Sequence, residues 1–172
     1  MVQIGDFHIG QAQNASAPQI TAGEAYMLWD HLVTRYDIID TTQIYQNLVH
    51  DPDFKVVMTT GLTMILEKQV DQLEIQLNKY KIALPERPFK SVRFDANSGA
   101  FKDEFIFRKV FTGIQGFLDS HVRTIRTMVY NDCLRKMFIK FLLEEIDVLD
   151  DLSKYGKVKG WFEIPPFMDP IP

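Results

Sequence analysis

Apolar residues recur at three- and four-residue intervals through four separate stretches of the chain, the spacing of one face of an α-helix. The first predicted helix starts at Thr21, where Thr21 and Glu24 stand at the Ncap and N3 spacing of a capping box. Its inner face carries Ala25, Leu28, Leu32, Tyr36 and Ile39, and it runs to about His50. Asp51-Pro52-Asp53 reads as a turn, because Pro52 has no N–H with which to continue the ladder. A second helix is predicted from Asp53 to Ile82, with Met58, Leu62, Ile65, Leu66, Leu73, Leu77 and Tyr80 facing inward. Gly61 lies inside it, at about 1 kcal/mol against Ala, and is read as a point of close helix approach.

The third predicted helix spans Asp103 to Tyr130. Its seam of Phe107, Phe111, Ile114, Leu118, His121, Ile125 and Met128 steps four, three, four, three, as a heptad core does. After a short capping turn at Asn131-Asp132, the fourth runs from Cys133 to Tyr155 on a seam of Leu134, Phe138, Phe141, Glu145, Val148, Leu152 and Tyr155. Gly156 is read as the left-handed residue that ends it. Gly160 to Pro166 form an extended tail whose aromatics dock on the bundle.

Between the two helical pairs, residues 83–102 carry Pro85, Pro88, Asn97 and Gly99 and cannot be one long helix. Fully extended, such a link reaches roughly 60 Å, enough to cross a bundle of helices each about 35–45 Å long. The expected fold is therefore all-α: a ferritin-like four-helix bundle with a long crossover between helices two and three. The expected organisation is an extended or flexible N-terminal arm over residues 1–20, then the bundle and its tail over 21–172.

His121 and Glu145 interrupt otherwise apolar seams, and Gln69 falls on the seam of the second helix with Glu67 at its edge. Counting residues from the turns at 1.5 Å each, a crossover puts Gln69 and His121 at one level and Glu145 within about 5 Å of it. Without the crossover, the Gln69 and His121 levels separate by roughly 12 Å. Buried carboxylates need a partner or a metal. The Glu-x-x-His pairs of carboxylate di-iron bundles are missing, since Glu67 is followed three residues on by Val70, Glu144 by Asp147 and Glu145 by Val148. Three readings remain: a hydrogen-bonded His121–Glu145 pair beside Gln69, a single metal (iron, manganese or zinc) held by His121 and Glu145 with or without Glu67, or exposure of these residues to a groove or a dimer interface. His31 and His50 are expected on exposed faces. The run Glu144 to Asp151 reads as a solvated acidic face with Glu145 turned in.

Composition narrows this further. The 172 residues carry 46% hydrophobic and 24% charged side chains, with 13 Phe, the balance of a folded domain with an aromatic core. A formal charge of −4 with no basic block speaks against nucleic acid. Cys133 is the single cysteine, so no intrachain disulfide forms. It is expected as a small core residue in a reducing compartment. No signal peptide or membrane-spanning run is visible, which points to a cytoplasmic setting. Phosphate loops, zinc spacings and serine elbows are not seen, so no catalytic residue is assigned.

Glu67-Lys68-Gln69-Val70, the Pro-containing crossover, and the tail Lys159-Gly160-Trp161-Phe162-Glu163-Ile164-Pro165-Pro166 together resemble a bacterial family. It comprises uncharacterised ferritin-like proteins related to spore coat protein F of endospore-forming Firmicutes. The resemblance spans most of residues 21–168, with the tail as its most specific part. It implies the fold and a sporulation setting, not a reaction. Many members look like two tandem bundles where this chain has one. The family often has His where this chain has Gln69, a departure that weakens a metal role.

Three functions compete. The first is a non-enzymatic structural or interaction protein similar to spore coat components, without cofactor, assembling as a homo-oligomer (a dimer) or with other coat proteins. The second is a metal-binding or redox ferritin-like protein with a degenerate site between helices. The third is a small-ligand cavity, with Met58, Met64, Met128 and Met137 as candidate lining.

Overall fold

The computed structural model describes residues 2–4, 7–9, 19–93, 101–166 and 168. The leader's residues 10–18 and the link's residues 94–100, with Asn97 and Gly99, lie outside them. Strands β1 (Val2–Ile4) and β2 (Phe7–Ile9) pair as an antiparallel hairpin, with Gln3 opposite His8. The rest is helical: α1 (Ala22–Leu48), α2 (Pro52–Gly61), a π-helical segment (Leu62–Leu66), α3 (Glu67–Lys79), α4 (Asp103–Thr127) and α5 (Asp132–Lys159). Among the described residues no helix is long and apolar enough to cross a membrane.

Side-chain caps fix the helix order. The expected capping box is present, with Glu24 N donating to Thr21 Oγ1 at 3.2 Å and Thr21 N donating to Glu24 Oε2 at 3.0 Å. Glu24 is buried, and its other oxygen accepts from the backbone of Tyr130 and Asn131 at 3.1 and 2.8 Å. The start of α1 therefore meets the α4–α5 turn. At the far end, the Asp103 carboxylate accepts from the backbone of His50 and Asp51 at 3.0 and 2.7 Å. So α1 and α4 are antiparallel.

The short turn at Val49–Asp51 makes α1 antiparallel to α2–α3 as well, which leaves α3 and α4 parallel. A hydrogen bond between Asn131 and Tyr80 puts the end of α3 at the α4–α5 turn. From there the described part of the link, which ends at Arg93, runs beside α1. Gln43 donates to the Phe89 carbonyl at 3.1 Å and Asn47 to that of Val92 at 2.8 Å. The all-α, four-helix body expected from the sequence is thus present, with the described link residues lying along α1.

Two apolar clusters fill the interior. One joins Leu28, Leu32, Leu73, Leu77, Leu134, Phe138 and Phe141. The other joins Phe54, Met58, Ile106, Phe107 and Leu152, with Trp161 and Phe162 of the tail packed against it. Each cluster draws on both hairpins, so they are two levels of a shared interior. The tail aromatics dock as expected.

Four expectations need correction. The second helix is not one regular helix, because the π-helical segment divides it. Gly61 marks no close approach: a Cβ built there meets nothing within 4 Å. Gly156 does not end α5. It lies inside the helix, where a Cβ would come within 2.7 Å of Phe107 Cε1 and 2.6 Å of Phe162 Cε2, so packing excludes a side chain there. The left-handed cap is Gly160 at φ 69°. Cys133 is exposed rather than in the core, because the first turn of α5 turns Leu134 inward instead.

Candidate functional site

On α4 and α5 a polar layer lies between the two apolar levels. His121 on α4 and Glu145 on α5 are buried as their seams require. From α1 come His31 and Arg35, each 1% exposed. His31 was expected on an exposed face, and Arg35 was not singled out. Their positions follow from the α1 register, since the steps Leu28, His31, Arg35, Ile39 are three, four and four residues on one face. That polar pair on an apolar stripe is the signal that would have found them. His50 is exposed as expected and pairs with Asp103 at 3.5 Å.

Arg35 organises the layer. Its Nη2 is 2.9 Å from Glu145 Oε2 and 3.0 Å from His121 Nε2. The guanidinium carbon sits 3.9 Å above the Phe117 ring centroid, a cation–π contact.

An arginine only donates, and that sets every proton behind it. His121 Nε2 accepts, so a neutral ring carries its proton on Nδ1. That Nδ1–H donates to His31 Nε2 at 3.2 Å. His31 therefore carries its proton on Nδ1, which faces Thr124 Oγ1 at 3.2 Å. The Thr124 hydroxyl donates to the Ser120 carbonyl at 3.0 Å. One donor direction runs from guanidinium to main chain.

The titrations agree. Burial pushes His31 down to about 3, assisted by His121 and the Arg35 charge. Burial also lowers His121, although Glu145 opposes it. Both rings are neutral near pH 7. Burial alone would raise Glu145, but the Arg35 guanidinium at 2.9 Å overcomes it and holds the carboxyl below its usual range. Burial lowers Arg35 while Glu145 opposes that shift, and an arginine remains charged throughout the working range.

Gln69 reaches the same layer, donating to Glu144 Oε2 at 2.9 Å. The level reckoned from the sequence therefore holds for Gln69, His121 and Glu145. Glu67 stands apart: it is half-buried and shares no hydrogen bond or ion pair with either His121 or Glu145. Among the described residues no group of three His, Cys, Asp or Glu side chains is placed to hold a metal ion. The nitrogen and oxygen that His121 and Glu145 would offer a metal both face the Arg35 guanidinium instead.

Next to Arg35 is a cavity of about 210 Å³. Its walls are apolar, from Ile38 and Tyr45 on α1, Met58 on α2, Leu62, Ile65 and Leu66 of the π-helical segment, Val110 and Ile114 on α4, and Val148 on α5. Arg35, Phe117 and Glu145 also line it. Of the four methionines considered as lining, Met58 alone is here. Met64 is exposed, and Met128 and Met137 belong to the other apolar level.

Residues 10–170 match the model of a family described as proteins of unknown function, DUF3231. The chain belongs to the DUF3231 family. Among solved structures, this DUF3231 chain is similar to a Bacillus halodurans C-125 protein provisionally named a spore coat protein. The identity is 23%, the TM-score 0.79, and the match covers 87% of this chain and 96% of that one. It is also similar to a conserved hypothetical protein from Mycobacterium tuberculosis, at 9% identity and a TM-score of 0.64, covering 80% and 99%. Both likenesses establish the fold alone. No curated protein matches this DUF3231 sequence significantly.

Proposed function

We propose that the chain is a non-enzymatic structural or interaction protein of the spore-coat kind, built on a ferritin-like bundle in which an internal arginine stands where a metal would. The single observation behind this is Arg35 Nη2 lying within 3.0 Å of both His121 Nε2 and Glu145 Oε2. A bundle of this topology does metal chemistry by aiming carboxylates and imidazoles at a cation between its helices. Here His121 Nε2 and Glu145 Oε2 are engaged by a fixed positive charge, which also repels a divalent ion. These residues do not fit a resident iron, manganese or zinc. The layer locks helices together rather than carrying out a reaction.

Support for the setting comes from the Bacillus halodurans neighbour and the tail motif. Support for assembly, as a homo-oligomer or with other coat proteins, comes from Tyr26, Trp29 and Tyr130, which are exposed near the end where α1 begins and α4 ends. Aromatic side chains of this kind are enriched where proteins meet.

The test has two arms. Chelator-free protein is incubated with iron(II), manganese(II) or zinc, dialysed and assayed by elemental analysis; less than about a tenth of an equivalent is expected from a pair engaged by Arg35. Sporulating and vegetative cells of the source organism are fractionated and probed for the protein, which is expected in the coat extract. Stoichiometric metal favours the alternative reading, a metal-binding or redox protein. Confinement to vegetative cells sinks the coat reading.

A further inference from the structure

α5 carries a second regular seam on the side away from the core. At its middle, Ile139, Leu143 and Ile146 are 40%, 57% and 44% exposed. They follow one another at four and three residues, the stepping of a helix-pairing stripe. The seam continues at three- and four-residue steps through Lys136 and Asp132 toward one end and through Asp150 and Lys154 toward the other, all four exposed. Single apolar residues scattered on a surface are ordinary. Three in register on the outer face of one helix, bracketed by charge, make a stripe of the kind a second helix covers.

The charges specify what covers it. Lys136 and Asp150 each stand seven residues from Leu143, and Asp132 and Lys154 each stand eleven, with opposite sign at equal separation. Seven and eleven residues are close to whole numbers of helical turns, so both pairs share the face of Leu143. A helix with this pattern complements its own reverse. Laid parallel, two copies would set Lys136 against Lys136 and Asp150 against Asp150.

We propose that α5 pairs antiparallel with α5 of a second copy of this chain, about a two-fold axis at Leu143. Ile139 packs against Ile146 of the second copy, Lys136 meets its Asp150, and Asp132 meets its Lys154. The inference rests on the assembly reading above and gives it a surface and a partner, apart from the aromatic pole at Tyr26, Trp29 and Tyr130. Within one helix, Asp132 pairs with Arg135 and Asp150 with Lys154, while Lys136 forms no ion pair among the described residues. Exposed pairs of this kind contribute little, so exchanging them for pairs across the axis costs little. A helix face about 40 Å long and about 10 Å wide offers roughly 400 Å² a side, the low end of specific interfaces, so a micromolar dimer is expected.

The full chain is followed by sedimentation equilibrium from about 5 to about 500 µM, a range that brackets micromolar dissociation. A monomer–dimer equilibrium is expected. Leu143→Lys sets two like charges at the axis and is expected to leave a monomer with unchanged far-UV circular dichroism. Lys136→Glu and Asp150→Lys are each expected to weaken the dimer roughly tenfold, and the two together to restore it. If Leu143→Lys loses helix, the charge reversals decide. A monomer at every concentration, a dimer undiminished by a folded Leu143→Lys variant, or no restoration in the double variant each overturns the proposal. None of these results moves the metal and coat-extract readouts, which judge the broader reading separately.

Discussion

Arg35 and Glu145 meet at 2.9 Å in the middle of the bundle, with 1% and 5% of their side chains open to solvent. Two charges withdrawn this far from water gain little net stability from their own attraction. Their effect is on specificity. The guanidinium fixes the tautomer of His121, which fixes that of His31, so α1, α4 and α5 fit together in one register only.

Removing one partner should therefore hurt more than removing both. Glu145→Gln leaves Arg35 without a counter-charge and is expected to destabilise by about 3–5 kcal/mol. Combining Arg35→Met with Glu145→Leu should recover most of that loss. Urea denaturation of the single and double variants reads the coupling; additive losses would show that the pair is not a unit.

Acid should weaken the fold before its carboxylates titrate. His31 titrates at about 3 when folded against about 6.5 in an unfolded chain. Below pH 6.5 the unfolded chain takes up a proton that the native one refuses, so stability falls as pH drops toward 3. His121 is shifted the same way. Glu145, held low, adds a further loss as pH falls through the ordinary carboxylate range. His31→Gln removes at most about 1.4 kcal/mol per pH unit from the slope between pH 6.5 and 4. Stability curves of both proteins across that window check it, and an unchanged slope would contradict it.

Two glycines should respond oppositely to the same change. Gly156→Ala drives a Cβ into Phe107 and Phe162 and is expected to lose about 1–3 kcal/mol by overpacking. Gly113→Ala meets nothing within 4 Å and should gain up to about 1 kcal/mol from helix propensity. Thermal denaturation distinguishes them, and a tolerated Gly156→Ala would mean that the tail does not pack tightly.

Asn47 should hold the link down. Asn47→Ala deletes the 2.8 Å bond to the Val92 carbonyl at about 1 kcal/mol. Limited trypsin digestion is expected to cut after Lys90 or Arg93 faster in the variant, with the helices intact. Equal rates would place the anchoring of the link elsewhere.

Much of this was legible from spacing. The heptad seams on α4 and α5 identified His121 and Glu145 as inward residues, because a polar residue on a regular apolar stripe has nowhere else to point. The length and prolines of the link marked the break between the two helical pairs. Arg35 and His31 are hard to read as inward because α1 mixes polar and apolar residues around much of its circumference, and Asp30 beside His31 favours an exposed face. Tertiary pairing with an α5 carboxylate is what draws Arg35 inside, and that partner is 110 residues away.

The π-helical segment left no trace, since one extra residue in a turn changes neither composition nor hydrophobic count. Gly156 and Gly160 could not be told apart by type. Each ends a plausible helix, and only the rings of Phe107 and Phe162 show which one is there for space.

The cap at Glu24 and the clamp of Lys159 on Asp51, at 2.7 Å, put the first and last turns of the helical body at opposite poles, about 40 Å apart by the length of α5. Any covalent duplicate joined through these ends would grow in a line, tip to tip. Labels fused near Ala22 and Lys159 would report on different neighbours in any ordered array.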